Sequence, residues 1–391
     1  MSRPRIDALL MMQEGMETVT RESIQALQLR KLNALLAREK ARGGFYRWLP
    51  ERLESLEELA SLPFTTEEEL AAKAPGLLLC SQGEIQRVLS DATSGTTGAA
   101  KRVFYTEGDC ARTVELFMAG LGELIFPGSV TIIGFPFSGP YGLGDLIARA
   151  VENLGARPLK PGPGLSYGEL RELLERERPD TFVGMPVQLL SLLRFCGRGS
   201  LRRALVSEDA CPKAVLRGCE ALLGSRLFPH YGSREMALGG AICCPAHLGM
   251  HLRENHVIAE IVDDRGRPLP PGERGELVIT TIGMQDMPLI RYRSGDEACV
   301  LPGPCPCGSE VLRLDAIGRK GEPAEIAGLD EMLFALPGLA DYAARRIDGR
   351  LHLEILSCGA LELPPLDAEV TIRPARPEDR ALYRGKRRII E

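Results

Sequence analysis

Residues 91–101 read DATSGTTGAAK, and this stretch decides how the rest of the chain is interpreted. It places four hydroxyl-bearing side chains around two glycines and ends in Lys101. Glycines let a backbone approach a polyanion closely, hydroxyls and free N–H groups bond phosphate oxygens, and lysine adds a positive charge. The spacing differs from that of a Walker loop, because Lys101 follows Gly98 by three residues. The stretch therefore predicts a phosphate-binding loop, and an ordinary Ser/Thr/Gly turn is the alternative.

The hydrophobic pattern differs on the two sides of this stretch. Upstream, apolar residues recur at helical spacing over residues 17–60, and Thr66 precedes three glutamates in the pattern of a helix N-cap. Downstream, short β-branched runs such as residues 130–135 alternate with helical stretches, which predicts a mostly parallel α/β sheet. Beyond residue 255 the candidate strands lie closer together and predict antiparallel structure.

Composition argues against several classes of function. A net charge of −5 and a pI near 5.8 argue against a general nucleic-acid binder, which is usually basic. No apolar run is long enough to span a bilayer, and the N-terminus lacks the pattern of a signal peptide. The eleven cysteines, an odd number, suit reduced thiols better than a secreted disulfide framework. We expect a cytoplasmic protein with no nucleic-acid or membrane partner, for which a homodimer is a possible assembly.

Residues 93–98, TSGTTG, together with Lys101 resemble the phosphate-loop signature of the adenylate-forming (AMP-binding) superfamily. The chain is similar in particular to the phenylacetate–CoA ligase family, because LPFTT at residues 62–66 and QLRKL at residues 28–32 match segments of that family in the same order. The resemblance covers nearly the whole chain. It implies an ATP-dependent acid–CoA ligase, which joins a small or aryl carboxylic acid to AMP as an acyl-adenylate, releases pyrophosphate and passes the acyl group to coenzyme A.

Pattern and resemblance together predict an α/β fold. We expect a large N-terminal domain with mostly parallel sheets and helices plus an antiparallel β subdomain, followed by a small mobile α+β C-terminal domain. The predicted boundaries are residues 1–84 for the N-terminal helical part of the large domain, 85–317 for the adenylate-forming core with its β subdomain, and 318–391 for the C-terminal domain.

The resemblance also implies where a nucleotide and its magnesium ion bind. In HYGSRE, residues 230–235, Tyr231 packs beside the adenine and Glu235 supports Mg²⁺, an ion that prefers one or two carboxylates beside phosphate oxygens. In MPLIRYRSGD, residues 287–296, Asp296 holds both ribose hydroxyls. On local sequence alone, the alternative for Glu235 is an exposed acid in a turn, and the alternative for Asp296 is an acid that caps a turn. The nucleotide-binding set that the resemblance implies is Thr93, Ser94, Gly95, Thr96, Thr97, Gly98, Tyr231, Gly232, Asp296 and Arg319.

The catalytic residues implied by the resemblance are Lys101, Glu235 and Lys386. Lys386 resembles the lysine that closes the family's chain, whose amine neutralises charge during attack on the α-phosphate; a frayed basic tail is the alternative. The C-terminal domain would rotate about Arg319 and Lys320 to admit the thiol. The chain departs from the family here, because the pair of aspartates expected after Arg319 is absent.

The acyl pocket is predicted at two loops that follow candidate strands. FPFSGPYGLG, residues 135–144, corresponds to the family's acyl-pocket region, and GMP at residues 184–186 matches a second segment near the substrate. Aromatic walls would suit an apolar or aromatic acid, and core packing is the alternative role for these rings. The predicted substrate-binding residues are Phe135, Phe137, Tyr141, Gly184 and Pro186.

Two cysteine-bearing segments predict a metal site. CCPAHLGMH, residues 243–251, and CPCG, residues 305–308, combine thiols with imidazoles, which are ligands of a tetrahedral Zn²⁺ site. Matching a subset of the resembling family gives four ligands: Cys244, His251, Cys305 and Cys307. Cys243 and His247 compete for the first thiol and for the imidazole. Four protein ligands leave no position for water, so we expect a structural zinc; free buried thiols with surface histidines are the alternative.

Two other functions remain open on the sequence. One is an adenylyltransferase of the coenzyme-synthetase type, which would release pyrophosphate without using coenzyme A. The other is a non-catalytic nucleotide-binding relative, which would bind ATP without turnover. The acid–CoA ligase prediction itself requires ATP, with AMP as product, Mg²⁺, coenzyme A and the structural Zn²⁺.

Overall fold

The structure, a computed structural model, describes residues 4–91, 101–284, 286–320, 324–383 and 387–390. The helices of this part of the chain are α1 (Arg5–Glu14), α2 (Arg21–Arg42), α3 (Glu67–Lys73), α4 (Glu107–Leu121), α5 (Leu143–Asn153), α6 (Tyr167–Glu177), α7 (Pro186–Cys196), α8 (Lys213–Leu223) and α9 (Ala324–Leu333). The strands are β1 (Ile85–Asp91), β2 (Lys101–Thr106), β3 (Val130–Ile133), β4 (Arg157–Leu159), β5 (Thr181–Gly184), β6 (Arg203–Val206), β7 (Phe228–Tyr231), β8 (Ala241–Cys243), β9 (Met250–Leu252), β10 (Val257–Val262), β11 (Arg274–Thr281), β12 (Tyr292–Val300), β13 (Arg313–Arg319), β14 (Leu339–Ile347), β15 (Arg350–Ser357) and β16 (Glu369–Pro374). None of these helices combines the length and the hydropathy needed to cross a membrane.

Contacts divide the chain into two compact units, and the first contains the residues up to 123 and residues 230–320. Its main sheet is antiparallel, in the order β10, β11, β12, β13, β9, β8 and the end of β7. The antiparallel structure predicted beyond residue 255 is therefore confirmed. A separate hairpin pairs β1 with β2 and places Asp91 opposite Lys101. The two residues that flank the predicted phosphate loop lie side by side.

The start of α3 is specified by its own sequence. The Thr66 hydroxyl accepts a hydrogen bond from the Glu69 backbone N–H at 3.2 Å, and the Glu69 carboxylate accepts one from the Thr66 N–H at 3.3 Å. This reciprocal pair is a capping box, which satisfies two of the donors left free at a helix start. The predicted N-cap is confirmed, and it fixes the position of Glu67 at the beginning of the helix.

The second unit contains residues 124–229 and the residues from 321 onward. Strands β4, β3, β5 and β6 and the start of β7 form a parallel sheet in that order. This confirms the parallel structure predicted downstream of the phosphate loop, and with it the α/β class. Near the C-terminus, β14 pairs antiparallel with β15, and β15 pairs in parallel with β16.

Residues 324–383 and 387–390 share a hydrophobic core with α7 and α8. Leu190 in α7 and Phe334 after α9 are buried members of the same cluster. The Ser191 hydroxyl also donates a hydrogen bond to the Ala340 carbonyl oxygen at 2.7 Å. Rotation of this segment away from α7 would expose the core, at roughly 1.5–3 kcal/mol for each large apolar side chain. The mobility of the C-terminal domain and the boundaries after residues 84 and 317 stay predictions.

Candidate nucleotide site and cysteine cluster

Lys101 is the centre of a buried cluster of charges. Its Nζ lies 2.7 Å from Oε1 of Glu235 and 3.4 Å from Oε1 of Glu67. Lys101 begins β2, and Glu235 lies in the short 3-10 turn Arg234–Met236 that follows β7. Only 8% of Lys101 and 5% of Glu235 are exposed. Three segments distant in sequence thus bring one cation and two carboxylates together at the end of the predicted phosphate loop.

Lys101 and Glu235 hold each other in the ionised state. Burial alone would lower the pKa of Lys101, but Glu235 and Glu67 raise it overall. Burial alone would raise the pKa of Glu235, but Lys101 lowers it overall. An opposite charge at hydrogen-bonding distance favours the ionised form of each partner. At neutral pH the cluster therefore presents an ammonium group suited to phosphate and a carboxylate suited to a divalent cation.

Asp296 is held by the two residues predicted to accompany it at the nucleotide. Its Oδ2 accepts a hydrogen bond from the Tyr231 hydroxyl at 2.7 Å, and its Oδ1 accepts one from Nη1 of Arg319 at 3.1 Å. Asp296 and Arg319 also lie opposite each other in the register of β12 and β13. A carboxylate offers about four lone-pair positions. Each oxygen of Asp296 can therefore accept a further hydrogen bond, as binding of two ribose hydroxyls requires.

Two glycines shape the backbone beside these side chains. A Cβ on Gly232 would lie 2.4 Å from the carbonyl oxygen of Leu238, so the chain cannot accommodate a side chain there without moving. Gly295, directly before Asp296, has a φ of +71°, which residues other than glycine rarely adopt. Gly232, predicted to bind nucleotide, therefore also allows the close backbone approach next to Tyr231.

Arg291 joins the segment at residues 62–66 to the strand that carries Asp296. The guanidinium is almost fully buried and donates to the Glu260 carboxylate at 2.9 and 3.0 Å and to the Ala60 carbonyl oxygen at 2.7 Å. The Thr65 backbone N–H donates to the Arg291 carbonyl oxygen at 3.0 Å. Residues 62–66 and residues 287–296, which each match a motif of the family, are thus packed together. Arg291 therefore has a structural role.

The predicted acyl-pocket residues lie in the second unit, at the carboxyl ends of β3 and β5. Phe135 is fully buried, as in the core-packing alternative, whereas Phe137 and Tyr141 are half-buried. Gly184 ends β5, where a Cβ would lie 2.6 Å from an aromatic ring of the same strand, and Pro186 is the first residue of α7. Open α/β sheets bind ligands outside the carboxyl ends of their strands, so these positions suit a small-molecule site.

Seven predicted site residues lie outside the described residues: Thr93, Ser94, Gly95, Thr96, Thr97, Gly98 and Lys386. The chain directly after Lys386 is well anchored within the second unit. Nε of the buried Arg387 donates to Oδ1 of Asp330 at 3.0 Å, and the Ile390 backbone N–H donates to the Ala344 carbonyl oxygen at 3.0 Å. Residues 387–390 are therefore packed, which argues against the frayed-tail alternative for this part of the terminus.

The four predicted metal ligands come together in the first unit. The Sγ atoms of Cys244, Cys305 and Cys307 and a ring nitrogen of His251 all lie within 4.8 Å of one another. Nδ1 of His251 lies 3.2 Å from the Val311 carbonyl oxygen, and Nε2 lies 3.3 Å from Sγ of Cys307. Burial lowers the pKa of His251 to about 4, so the ring is neutral at pH 7. A neutral imidazole whose second nitrogen donates to a carbonyl is the usual form of a metal-bound histidine.

The competing ligands pair with each other instead. Sγ of Cys243 lies 3.8 Å from Nδ1 of His247, and neither belongs to the group of four. Three thiols and one imidazole form a donor set typical of structural zinc. The geometry thus favours Cys244 and His251 over Cys243 and His247, and the donor set fits the metal that the sequence predicts.

Known proteins resemble this chain in both sequence and fold. The family model described as AMP-binding enzyme matches residues 92–286. A phenylacetate-coenzyme A ligase from Thermus thermophilus is 32% identical, over 85% of this chain and 80% of its own length. The chain belongs to the phenylacetate–coenzyme A ligase family. A relative of the same name from Escherichia coli (strain K12) is 29% identical, over 88% of this chain and 84% of its own length.

Solved structures agree with the fold of this member of the phenylacetate–coenzyme A ligase family. A crystal structure of 2-hydroxyisobutyryl-CoA ligase in the postadenylation state, in complex with R3-HIB-AMP, aligns over 95% of this chain and 90% of its own, with a TM-score of 0.75 and 19% identity. The same ligase with 2-HIB-AMP and CoA in the thioesterification state aligns with a TM-score of 0.68. At this identity the likeness establishes the fold, and the predicted superfamily is confirmed by the sequence matches.

Two residues that contact the Lys101 cluster or the turn of Glu235 in this ligase-family chain were not predicted from the sequence. In the sequence Glu67 is one of the acids in the first turn of a helix, and in the structure its carboxylate lies 3.4 Å from Nζ of Lys101. Tyr105 donates a hydrogen bond from its hydroxyl to the Arg234 carbonyl oxygen at 2.5 Å and so supports the turn that carries Glu235. The sequence does contain a signal for Tyr105. It lies four residues after Lys101 in β2, and residues at even spacing in a strand face the same side of the sheet.

Proposed function

We propose that this chain is an ATP-dependent acid–CoA ligase that acts through an acyl-adenylate. The carboxylate of the acid attacks the α-phosphorus of ATP, the bond to the bridging oxygen breaks, and pyrophosphate leaves. The thiol of coenzyme A then attacks the acyl carbon, AMP leaves with the bonding electrons, and the thiol proton passes to solvent. The observation that carries the proposal is that one unit contains both the Lys101–Glu235 pair and the Tyr231–Asp296 pair.

Positioning and charge neutralisation account for the first step, because it requires no protein nucleophile. Lys101 neutralises charge on the phosphates, and residues 93–98, the predicted phosphate loop, precede it in the sequence. Asp296 accepts hydrogen bonds from the ribose, with Arg319 beside it, and Tyr231 packs next to the adenine. The support for these roles is that Lys101 and Asp296 are each held in one orientation by named partners.

Mg²⁺ fits the carboxylates beside Lys101. Glu235 is ionised in its buried position, and Glu67 offers a second carboxylate 3.4 Å from the same ammonium group. One or two carboxylates together with phosphate oxygens and waters complete the octahedral ligand set that Mg²⁺ prefers. When bound, the ion would neutralise charge on the departing pyrophosphate, while Lys101 remains the charge that the protein itself supplies.

The acid is proposed to bind at the carboxyl ends of the parallel strands in the second unit. Phe137 and Tyr141 are the aromatic side chains with exposed surface in that loop, whereas Phe135 supports them from the core. Gly184 and Pro186 limit the space at the end of β5. A small or aryl carboxylic acid suits such a wall, because apolar and aromatic linings favour ligands of that kind.

The thiol step is where the chain departs most from the family pattern. Lys320, at the predicted hinge, pairs with Glu276 at 3.0 Å and with Asp264 at 3.3 Å. Residues 324–383 and 387–390 share a core with α7. Lys386, the lysine proposed to meet the reacting carboxylate, lies between these two ranges in the sequence. A C-terminal segment that is packed against α7 favours adenylation over the thiol step, because the thiol step needs domain rotation. An adenylyltransferase that does not use coenzyme A is therefore the second candidate.

Pyrophosphate and thioester measurements distinguish these functions. Purified protein with ATP, Mg²⁺ and a panel of aryl and short aliphatic acids should release pyrophosphate, and adding coenzyme A should yield an acyl-CoA detectable by mass spectrometry. Pyrophosphate release without thioester at any acid concentration would support the adenylyltransferase. ATP binding by calorimetry with no turnover across the panel would contradict both enzymes and support a non-catalytic relative.

A structural Zn²⁺ is proposed at Cys244, His251, Cys305 and Cys307. His251→Gln should abolish zinc measured by elemental analysis and lower the melting temperature, since structural zinc contributes directly to folding. His247→Asn is the matched control, because asparagine tolerates the positive φ at that position, and it should retain one zinc per chain. Zinc retained by His251→Gln but lost from His247→Asn would reverse the assignment.

We further propose a cytoplasmic location, with a homodimer as the assembly to test. None of the eleven cysteines is joined in a disulfide, which suits a reducing compartment. Sedimentation of the purified protein gives the mass of the assembly directly. A monomer at micromolar concentration would exclude the homodimer at that concentration.

A further inference from the structure

A buried hydroxyl without a partner lies on the strand that carries Asp296. Tyr292 begins β12 and is 1% exposed, and among the described residues its hydroxyl has no hydrogen-bond partner. Buried polar side chains in native proteins are nearly always paired, so an unpaired one requires an explanation. The neighbouring buried tyrosine Tyr46 follows the rule, because its hydroxyl is 2.8 Å from the Thr65 hydroxyl and accepts a hydrogen bond from the Ile290 N–H at 3.2 Å.

The charges that act on the Tyr292 hydroxyl belong to both halves of the candidate nucleotide site. After burial, the groups that raise the pKa of Tyr292 most are the carboxylates of Glu235 and then Glu67. The hydroxyl is therefore within electrostatic reach of Glu235 and Glu67, which lie where the phosphates are proposed to bind. Asp296 and Arg319, at the proposed ribose position, act on it more weakly and in opposite directions. Burial raises the pKa of Tyr292, so its hydroxyl is a protonated donor at neutral pH.

The backbone around Tyr292 fixes where this hydroxyl can go. Tyr292 lies opposite Ile279 in the pairing of β11 with β12, and on its other side it forms a β-bridge with Thr65. The preceding Arg291 is almost fully buried and is held by an ion pair to Glu260. With strand partners on both sides and no exposed surface, the side chain cannot turn towards bulk water. An acceptor must therefore come to the hydroxyl.

We propose that the Tyr292 hydroxyl donates a hydrogen bond to the α-phosphate of the bound nucleotide. This inference rests on the proposed function, since it requires a nucleotide held between Lys101 and Asp296. The α-phosphate is the group that joins the ribose to the other phosphates, and it is present in ATP, in the acyl-adenylate and in AMP. A phosphate oxygen is a strong acceptor, and the hydroxyl is a neutral donor among the carboxylates of Glu235 and Glu67.

Tyr292→Phe tests the inference, with Tyr46→Phe as the matched control. Calorimetric titration with AMP should give an affinity about 10- to 100-fold weaker for Tyr292→Phe than for the wild type, as expected for a lost hydrogen bond to a charged acceptor. The affinity of adenosine, which lacks the phosphate, should change less than about twofold. Tyr46→Phe should bind AMP like the wild type, because its hydroxyl bonds only to the protein.

Thermal unfolding of the ligand-free variants should show the opposite order. Tyr292→Phe removes an unpaired polar group and should melt at or above the wild-type temperature, whereas Tyr46→Phe removes satisfied hydrogen bonds and should melt several degrees lower. Unchanged AMP affinity in a folded Tyr292→Phe protein would assign the hydroxyl to a buried water and overturn the inference alone. Equal losses for AMP and adenosine would move the contact to the ribose and also contradict it. A wild-type protein that binds neither AMP nor ATP would overturn the proposed function with it.

Discussion

Lys101 and Arg387 are both buried cations that face two carboxylates, and their surroundings differ in one respect. Each nitrogen of the Arg387 guanidinium donates a hydrogen bond, Nε to Asp330 at 3.0 Å, Nη1 to Asp341 at 3.4 Å and Nη2 to the Tyr342 carbonyl oxygen at 3.2 Å. Three aromatic rings lie within 4.4 to 4.8 Å of it. The carboxylates of the Lys101 cluster act electrostatically on the buried hydroxyl of Tyr292, which has no partner among the described residues.

This difference separates a structural cluster from a binding site. A cluster in which every guanidinium nitrogen already has a partner within the protein gains little from a ligand. A cluster with a free donor, a lysine and ionised carboxylates keeps unsatisfied interactions that a polyanion and a divalent cation can complete. Burial of charge is common to both, so burial alone does not identify function. The completeness of hydrogen bonding distinguishes the two clusters.

Arg387→Met should have the largest effect, and its effect should be on stability. Removing one partner of a buried ion pair leaves uncompensated charge on Asp330 and Asp341, which costs about 3–5 kcal/mol of unfolding free energy. Urea unfolding measures this loss, and the KM for ATP of the folded protein should be unchanged. Arg388→Met at the exposed neighbouring position is the control. A large rise in the KM for ATP at full stability would place Arg387 in the binding site and remove the distinction.

Lys101→Met should have the second largest effect, and its effect should be on rate. Loss of a positioned charge at the phosphates is expected to lower pyrophosphate release by about 100- to 1,000-fold. Because the change also leaves Glu235 buried without its cation, the rate should be measured below the melting temperature. Lys40→Met, at an exposed lysine 3.9 Å from Glu51, should keep full activity. Activity of Lys101→Met within threefold of the wild type is incompatible with the proposed role.

Asp296→Asn should raise the KM for ATP about 10- to 100-fold, because hydrogen bonds to an ionised group contribute about 1.5–3 kcal/mol. An amide cannot accept at both of its ends, so one ribose hydroxyl loses its partner. The matched control is Asp264→Asn, whose side chain is 96% exposed in the same unit. Steady-state pyrophosphate release over a range of ATP concentrations measures both variants, and an unchanged KM for Asp296→Asn would exclude the ribose contact.

The smallest effect concerns pH and the carboxyl group next to the structural cluster. Asp209 accepts hydrogen bonds from the Arg387 and Ala210 backbone N–H groups, and burial raises its pKa from 3.8 to about 6. A raised carboxyl pKa means that the folded state binds the proton more tightly. Its stabilising contribution is complete below about pH 4 and is lost as the pH rises to about 6.

Asp209→Asn should remove this pH dependence. The unfolding free energies of wild type and variant are measured at pH 4 and at pH 7, and their difference is compared between the two pH values. The buried histidines titrate alike in both proteins, so their contribution cancels in this difference. A difference that is the same at both pH values would show that Asp209 does not titrate in this range.

The sequence predicted most of the fold because its signals were local. The capping pattern at Thr66 and the alternation of strands with helices depend on a few neighbouring residues, and both are confirmed. The packing of residues 324–383 and 387–390 against α7 had no such signal, since it depends on apolar faces more than a hundred residues apart in the chain. The sequence pattern of a short C-terminal segment with one helix is the same whether the segment forms its own core or shares a core with α7.

The candidate site was predicted in part for the same reason. Family resemblance indicated Lys101, Glu235 and Asp296, and the structure brings the first two to within 2.7 Å and gives the third two partners. Glu67 and Tyr292 were missed because each has an ordinary local role, in a first helical turn and in a strand. Their relation to the site exists only after β2, α3 and β12 are packed together.

The most direct test of the account is a crystal structure of the protein soaked with AMP. The account predicts that the ribose hydroxyls contact the Asp296 carboxylate, and that the phosphate lies about 3 Å from the Tyr292 hydroxyl and on the side of Lys101. Density for the nucleotide at any place away from Lys101 and Asp296 would contradict it.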